Sequence, residues 1–203
     1  MKYRECLVNV APYVPGKNEE EIKKEFGLEK VVKIASNENP YGPTPNIKEY
    51  LNGVNFSIYP DNYMSELRSK LSNRLNVNEE KLLFGNGSVE IIQMISRAFL
   101  NNGDNIVTQL PSFSSYFSEA KIQDAEIRTI KYNDKYSFNL DEMLKLIDAK
   151  TKIVYITNPN NPLGTIVTKE ELYNFVSKVP SNILVVIDEA YFEFVRDEKY
   201  ASG

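Results

Sequence analysis

From Asp61 onward, apolar residues recur with two alternating periods. Tyr63, Leu67, Leu71 and Leu75 stand four apart, which predicts one helical face. Residues 82–84 predict a short strand. Residues 88–100 predict a helix with Ile91, Ile95, Ala98 and Phe99 turned inward. Apolar runs at 105–109, 125–130, 152–157 and 183–187 predict strands, the last of them apolar throughout. Between these runs lie a helix over 113–122 and one carrying Leu140, Met143, Leu144 and Ile147, with Asn139 as its N-cap. Thr168 and Glu171 have the spacing of a capping box ahead of Leu172, Phe175, Val176 and Val179.

The first sixty residues are irregular and rich in proline and glycine, with short helices expected only at 19–26 and 44–51. No internal repeat or low-complexity tract is present. Continuously apolar strands alternating with amphipathic helices predict an α/β fold, a mainly parallel sheet sandwiched by helices. In such sheets ligands bind at the carboxyl ends of strands, so chemistry is expected just after them.

Composition narrows the chemistry. A net charge of -4 with scattered basic residues gives no sign of nucleic acid or an anionic membrane as partner. No run reaches the length of a membrane span, and the first ten residues have no signal-peptide core. Cys6 is the only cysteine, so no internal disulfide can form, and a cytoplasmic location is expected. The chain contains no histidine, which excludes Ser-His-Asp and Cys-His nucleophile systems and His-bearing zinc sites within it. No metal is expected. Proton transfers would fall to Lys, Tyr, Asp, Glu or a cofactor.

Four motifs follow predicted strands. Phe84-Gly85-Asn86-Gly87-Ser88 could cradle a phosphate at a helix start, or be a glycine turn with Ser88 as N-cap. It lacks the Lys and Ser/Thr of a P-loop and the third glycine of a dinucleotide fingerprint. Pro111 to Tyr116 places aromatics where one could stack on a flat ring, although helix aromatics are more often core. Thr157 to Gly164 is a turn with two Asn-Pro pairs, in which an Asn amide could donate to a phenolate oxygen. A cis bond before Pro162 would be one way of aiming it. Asp188-Glu189-Ala190-Tyr191 ends an apolar strand with a carboxylate that needs a partner. A pyridinium nitrogen, a helix N-terminus and a magnesium ion would each serve.

In this order and at this spacing, the four motifs resemble those of the fold-type I pyridoxal-phosphate aminotransferases. The nearer resemblance is to the histidinol-phosphate aminotransferases. It is carried by Ala11-Pro12-Tyr13, residues 35–43 (Ala-Ser-Asn-Glu-Asn-Pro-Tyr-Gly-Pro), Tyr59-Pro60-Asp61, Gly85 to Ser88, and residues 188–194 (Asp-Glu-Ala-Tyr-Phe-Glu-Phe). The resemblance implies the large cofactor domain of an aspartate-aminotransferase-like fold over 35–203, incomplete at its C-terminus, with an arm or lid over 1–34. It implies pyridoxal 5'-phosphate as cofactor. The N–H groups of Gly87, Ser88 and Val89 would hold its phosphate, and Phe113 would stack on its ring. Asn161 and Tyr191 would bond its phenolate oxygen, and Asp188 its ring nitrogen. Tyr59 would reach a partner subunit's cofactor in a homodimer with shared sites, while Tyr13, Asn37 and Asn39 would lie over the substrate. Val89 stands where an acidic or amide residue is common, and Leu163 where threonine is usual.

The implied reaction is transamination of L-histidinol phosphate with 2-oxoglutarate, in histidine biosynthesis. Its Schiff-base lysine is expected beyond Gly203, so these residues alone are expected to be inactive. Lys199 lies too close to Asp188 and sits in the charged run 196–199, which reads as solvated surface. An aromatic aminotransferase, a threonine-phosphate decarboxylase or an inert fragment would carry many of the same motifs.

Overall fold

In the computed structural model, residues 4–11, 16–133 and 136–203 are described. Contacts divide the chain into two units, one of residues 12–82 and the other of the chain up to Ala11 together with Leu83–Gly203. The boundary expected after residue 34 falls within the first of these.

The 12–82 unit is helical. Helix α1, Glu19–Phe26, has a reciprocal capping box between Asn18 and Glu21 and stops at Gly27, whose φ of 65° suits a residue without a Cβ. Helix α2, Ile47–Asn52, starts later than expected because Thr44 to Ile47 forms a turn, closed by the Ile47 N–H on the Thr44 carbonyl. Helix α3, Ser65–Leu75, leaves Tyr63 outside. The Asp61 carboxylate takes the N–H groups of both Tyr63 and Ser65, at 2.9 and 2.8 Å, and holds Tyr63 in the preceding turn. The Arg68 guanidinium donates to the carbonyls of Tyr63, Glu79 and Leu82, tying α3 to the 3₁₀ turn at Glu79–Lys81. Leu67 and Leu75, on the predicted apolar face, are exposed.

Residues 82–84 form no strand. Leu82 has extended angles (φ -96°, ψ 128°), but no neighbouring strand among the described residues pairs with the segment. Local sequence predicts extended backbone; a strand also needs a partner.

The second unit opens with a 3₁₀ turn, Glu5–Asn9, followed after Leu83 by helix α4, Gly87–Phe99. Next come β1 Asn105–Leu110, α5 Ser114–Ile122, β2 Glu126–Lys131, α6 Leu140–Lys145, β3 Thr151–Thr157, α7 Lys169–Val176 and β4 Leu184–Asp188. The four strands are all parallel, in the order β2-β1-β3-β4. Each connection carries a helix, as parallel neighbours require. One sheet face, with Val107, Val154 and Ile156, packs on Met143 of α6 and on Leu172 and Phe175 of α7. The other, with Ile106, Ile153 and Tyr155, packs on Ile92 of α4 and on Tyr116 and Ala120 of α5. The expected helix-covered parallel sheet is therefore present. Each fully buried large apolar side chain contributes about 1.5–3 kcal/mol.

Two details differ from the pattern-based expectation. In α4 Ile92 and Ser96 are buried and Ile95 packs on the core as expected, followed by buried Leu100 at the C-cap, whereas Ala98 and Phe99 are exposed. The inward stripe includes polar Ser96, buried beside Tyr155 with their hydroxyl oxygens 3.4 Å apart. Asn139 occupies the N-cap position of α6, but its side chain makes no cap bond; its backbone N–H donates to buried Gln109 instead. The capping box of Thr168 and Glu171 on α7 is formed in both directions.

Near the N-terminal ends of the strands, Arg128 pairs with Asp148 at 2.8 Å and Glu126 at 2.9 Å. Asn105 donates to the other Asp148 oxygen. The Arg128 guanidinium, followed by Asn105, holds the Asp148 carboxyl well below its ordinary range. Among the described residues, no helix is long and apolar enough to cross a membrane.

Candidate functional site

The carboxyl ends of β1, β3 and β4 lie side by side at one edge of the sheet. Register pairs Thr157 of β3 with Asp188 of β4. Asp188 lies on the same strand face as Val186, the face that Tyr155 of β3 shares and Tyr116 of α5 covers. Its Oδ2 accepts the Tyr116 hydroxyl at 2.6 Å, and its Oδ1 lies 3.2 Å from the Ala190 N–H. The carboxylate thus finds a side-chain partner within the chain while remaining half-buried.

Tyr116 is fully buried. Its ring stacks on Tyr155 at 4.2 Å, and Phe113 meets it edge-on at 5.9 Å. Burial, then the adjacent Asp188 charge, pushes the Tyr116 phenol far above its ordinary value, so it stays protonated and donates. The Thr157 hydroxyl lies 3.0 Å from the Tyr116 oxygen and 3.0 Å from the Ser112 hydroxyl. Phe113 caps the start of α5 with extended backbone angles, which leaves its half-buried ring at the strand-end edge.

The turn after β3 is held by two of its three asparagines. Asn158 exchanges both side-chain bonds with the backbone of Val167, at 2.8 and 3.2 Å. Asn160 accepts from Leu163 N–H and donates to the Pro111 carbonyl. Asn161 is half-buried, and its side chain makes no hydrogen bond among the described residues. The bonds before Pro111, Pro159 and Pro162 are cis.

Helix α4 starts at Gly87, whose φ of 72° is left-handed, and a Cβ built there would meet nothing within 4 Å. The N-cap residue is Asn86, so Ser88 is not the cap. Gly87, Ser88 and Val89 are exposed. The first N–H groups of a helix have no intrahelical acceptor, so this end can take an anion. The Asn86 N–H is already taken by the Glu90 carboxylate, and the Gly87 N–H by the Gly85 carbonyl at 2.9 Å, so of the three expected donors Ser88 and Val89 are left to meet an anion.

Tyr191 follows Asp188 and precedes the 3₁₀ turn Phe192–Phe194. Lys199 is exposed, as the charged run predicts. Tyr59, Asn37 and Asn39 belong to the 12–82 unit, where Tyr59 is 95% exposed. Asn39 closes its own turn onto Tyr41 and Gly42, and Asn37 has a φ of 52°. Tyr13 lies outside the described residues. The sequence reading missed Tyr116, Thr157 and Ser112 as a group. A signal was available: Tyr116 is one helical turn past Phe113, and Thr157 ends the strand beside Asp188.

Comparison with known proteins extends the picture. The family model for aminotransferase class I and II matches residues 29–202. A histidinol-phosphate aminotransferase of Bacillus subtilis is 50% identical over 202 residues, 98% of this chain and 56% of its own length. Histidinol-phosphate aminotransferase 1 of Bacillus cereus is 48% identical, over 98% of this chain and 54% of its own. The chain spans about half the length of these curated relatives. The crystal structure of histidinol-phosphate aminotransferase from Sinorhizobium meliloti, in complex with pyridoxal-5'-phosphate, superposes with a TM-score of 0.84 at 22% identity. It covers 98% of this chain and 54% of that one, a likeness of fold.

Proposed function

This chain belongs to the class I and II aminotransferase family, and on that premise we propose that the complete protein transfers an amino group between L-histidinol phosphate and 2-oxoglutarate, using pyridoxal 5'-phosphate. The observation carrying the substrate is the identity of about half the residues with histidinol-phosphate aminotransferases along almost the whole chain.

The site fits the cofactor on its own chemistry. The N–H groups of exposed Ser88 and Val89 offer an anion seat, Asn161 offers an uncommitted amide, and Asp188 offers a carboxylate held by Tyr116. Bound, pyridoxal phosphate supplies an electron sink for a carbanion next to nitrogen. The chain's residues bind and orient it. The start of α4 holds the phosphate, and Phe113 presents its ring to one face of the pyridine. Asn161 and Tyr191 hydrogen-bond the phenolate oxygen. Asp188 keeps a proton on the ring nitrogen. Val89 contributes its backbone N–H and no polar side chain, and Leu163 leaves Asn161 its role.

Asn37, Asn39 and Tyr13 contact the substrate in this reading, and Tyr59 serves the cofactor of a second subunit in a cytoplasmic homodimer. The lysine that carries the cofactor and moves the substrate proton lies in the complete protein, beyond the residues present here.

The complete protein, given L-histidinol phosphate and 2-oxoglutarate, is expected to form glutamate and to outpace the same reaction with tyrosine or phenylalanine. Faster turnover of an aromatic amino acid, or release of carbon dioxide from threonine phosphate, would overturn the substrate assignment.

A further inference from the structure

We propose that Ser112, Thr157 and Tyr116 form a one-directional hydrogen-bond chain that positions the Asp188 carboxylate, making all three positioning residues for the cofactor's ring nitrogen. The inference rests on the assignment of Asp188 to that nitrogen.

Counting protons sets the direction. An ionised carboxylate only accepts, so the 2.6 Å contact between Tyr116 and Asp188 Oδ2 uses the single phenolic proton of Tyr116. The Tyr116 oxygen is then left with lone pairs only. The Thr157 hydroxyl, 3.0 Å away, must donate to it. Thr157 has then spent its own proton, so Ser112 donates to Thr157 across their 3.0 Å. The protons point from Ser112 through Thr157 and Tyr116 to Asp188. A reversed chain would require Tyr116 to give its one proton to Thr157 and face the carboxylate with a lone pair.

The surroundings favour a strong chain. Tyr116 is fully buried and Thr157 is 3% exposed, so neither hydroxyl competes freely with water. Successive bonds that point the same way polarise one another. Tyr116 is also clamped between the Tyr155 face and the Phe113 edge, which holds its oxygen in place. Ser112 directly precedes Phe113, so the chain links the loop bearing the stacking ring to the strand bearing the charge. The residues that would touch the ring's face and its nitrogen thus share one support.

The test uses the complete protein with Tyr116→Phe, Thr157→Val and Thr157→Ser. Three readouts are taken: the dissociation constant for pyridoxal 5'-phosphate, the pH midpoint of the bound cofactor's visible band, and the melting temperature of the cofactor-free protein. Loss of one charge-assisted bond in Tyr116→Phe is expected to weaken cofactor binding about tenfold. It should also move the band midpoint. Thr157→Val should do both to a smaller extent, and Thr157→Ser should behave as wild type. Unchanged affinity and midpoint in Tyr116→Phe and Thr157→Val overturn the proposal, whatever happens to melting. If the unmodified protein binds no cofactor, the functional reading falls instead. The chain is then judged on the free protein by proton NMR. A slowly exchanging Tyr116 hydroxyl resonance that moves upfield in Thr157→Val supports it, and its absence overturns it.

Discussion

Asp188 and Asn161 are the polar groups that strand-end geometry leaves in place at the proposed cofactor site. Removing the charge while keeping the shape isolates the first role. Asp188→Asn in the complete protein is expected to lower turnover by about 10²–10³-fold, the scale seen when one preorganised polar group is lost. Steady-state kinetics with both substrates would check this; a loss under threefold would contradict the assignment. Gly87 is a backbone case. Its φ of 72° costs an alanine about 1–2 kcal/mol even though the space around it is open. Gly87→Ala should therefore lower stability by that amount in urea denaturation. Gly85 differs, since a Cβ there would come within 3.1 Å of Ile91 Cδ1. At this scale the sequence showed which residues end strands. It did not show their partners, because Tyr116 and Asp188, 72 positions apart, are brought together only by folding.

Elements were legible where a local rule operates. The capping box of α7 and the four long apolar runs are written in neighbouring residues, and these formed, whereas the short strand expected at 82–84 found no partner. What failed depended on contacts made elsewhere. Apolar spacing placed Ala98 and Phe99 on the inner face of α4, yet the buried stripe runs through Ile92 and polar Ser96 beside Tyr155. Ile92→Ala is accordingly expected to cost about 2–5 kcal/mol. Ala98→Ser, on the exposed side, should stay within about 0.5 kcal/mol. Equal losses in a thermal melt would contradict the observed face. Thr168→Ala should cost about 1 kcal/mol through loss of the cap on α7.

For the whole molecule, the fold class was readable because parallel strands buried on both faces leave a continuous apolar signature. The division at residues 11 and 82 was not, since it reflects contact density and no break in composition. Acid sensitivity also belongs to this scale. Asp148 is held below its ordinary value near 3.8 by Arg128 and Asn105. A carboxyl with a depressed folded-state value contributes stability above its unfolded value and loses it as pH falls toward the folded one. Stability should thus decline as pH drops below about 4, and Asp148→Asn should flatten that decline. Unfolding curves taken between neutral and strongly acidic pH would show it.

The pairing of Thr157 with Asp188 also bears on how the sheet assembles. Side chains alternate between faces, so β4 shifted by a single residue would send Asp188 to the Val185 and Ile187 side, beneath α7 and away from Tyr116. There the carboxylate would lose the only side chain among the described residues that hydrogen-bonds to it. A misaligned strand would thereby leave a carboxylate without its partner, so the Tyr116–Asp188 bond favours the alignment seen over its one-residue neighbours.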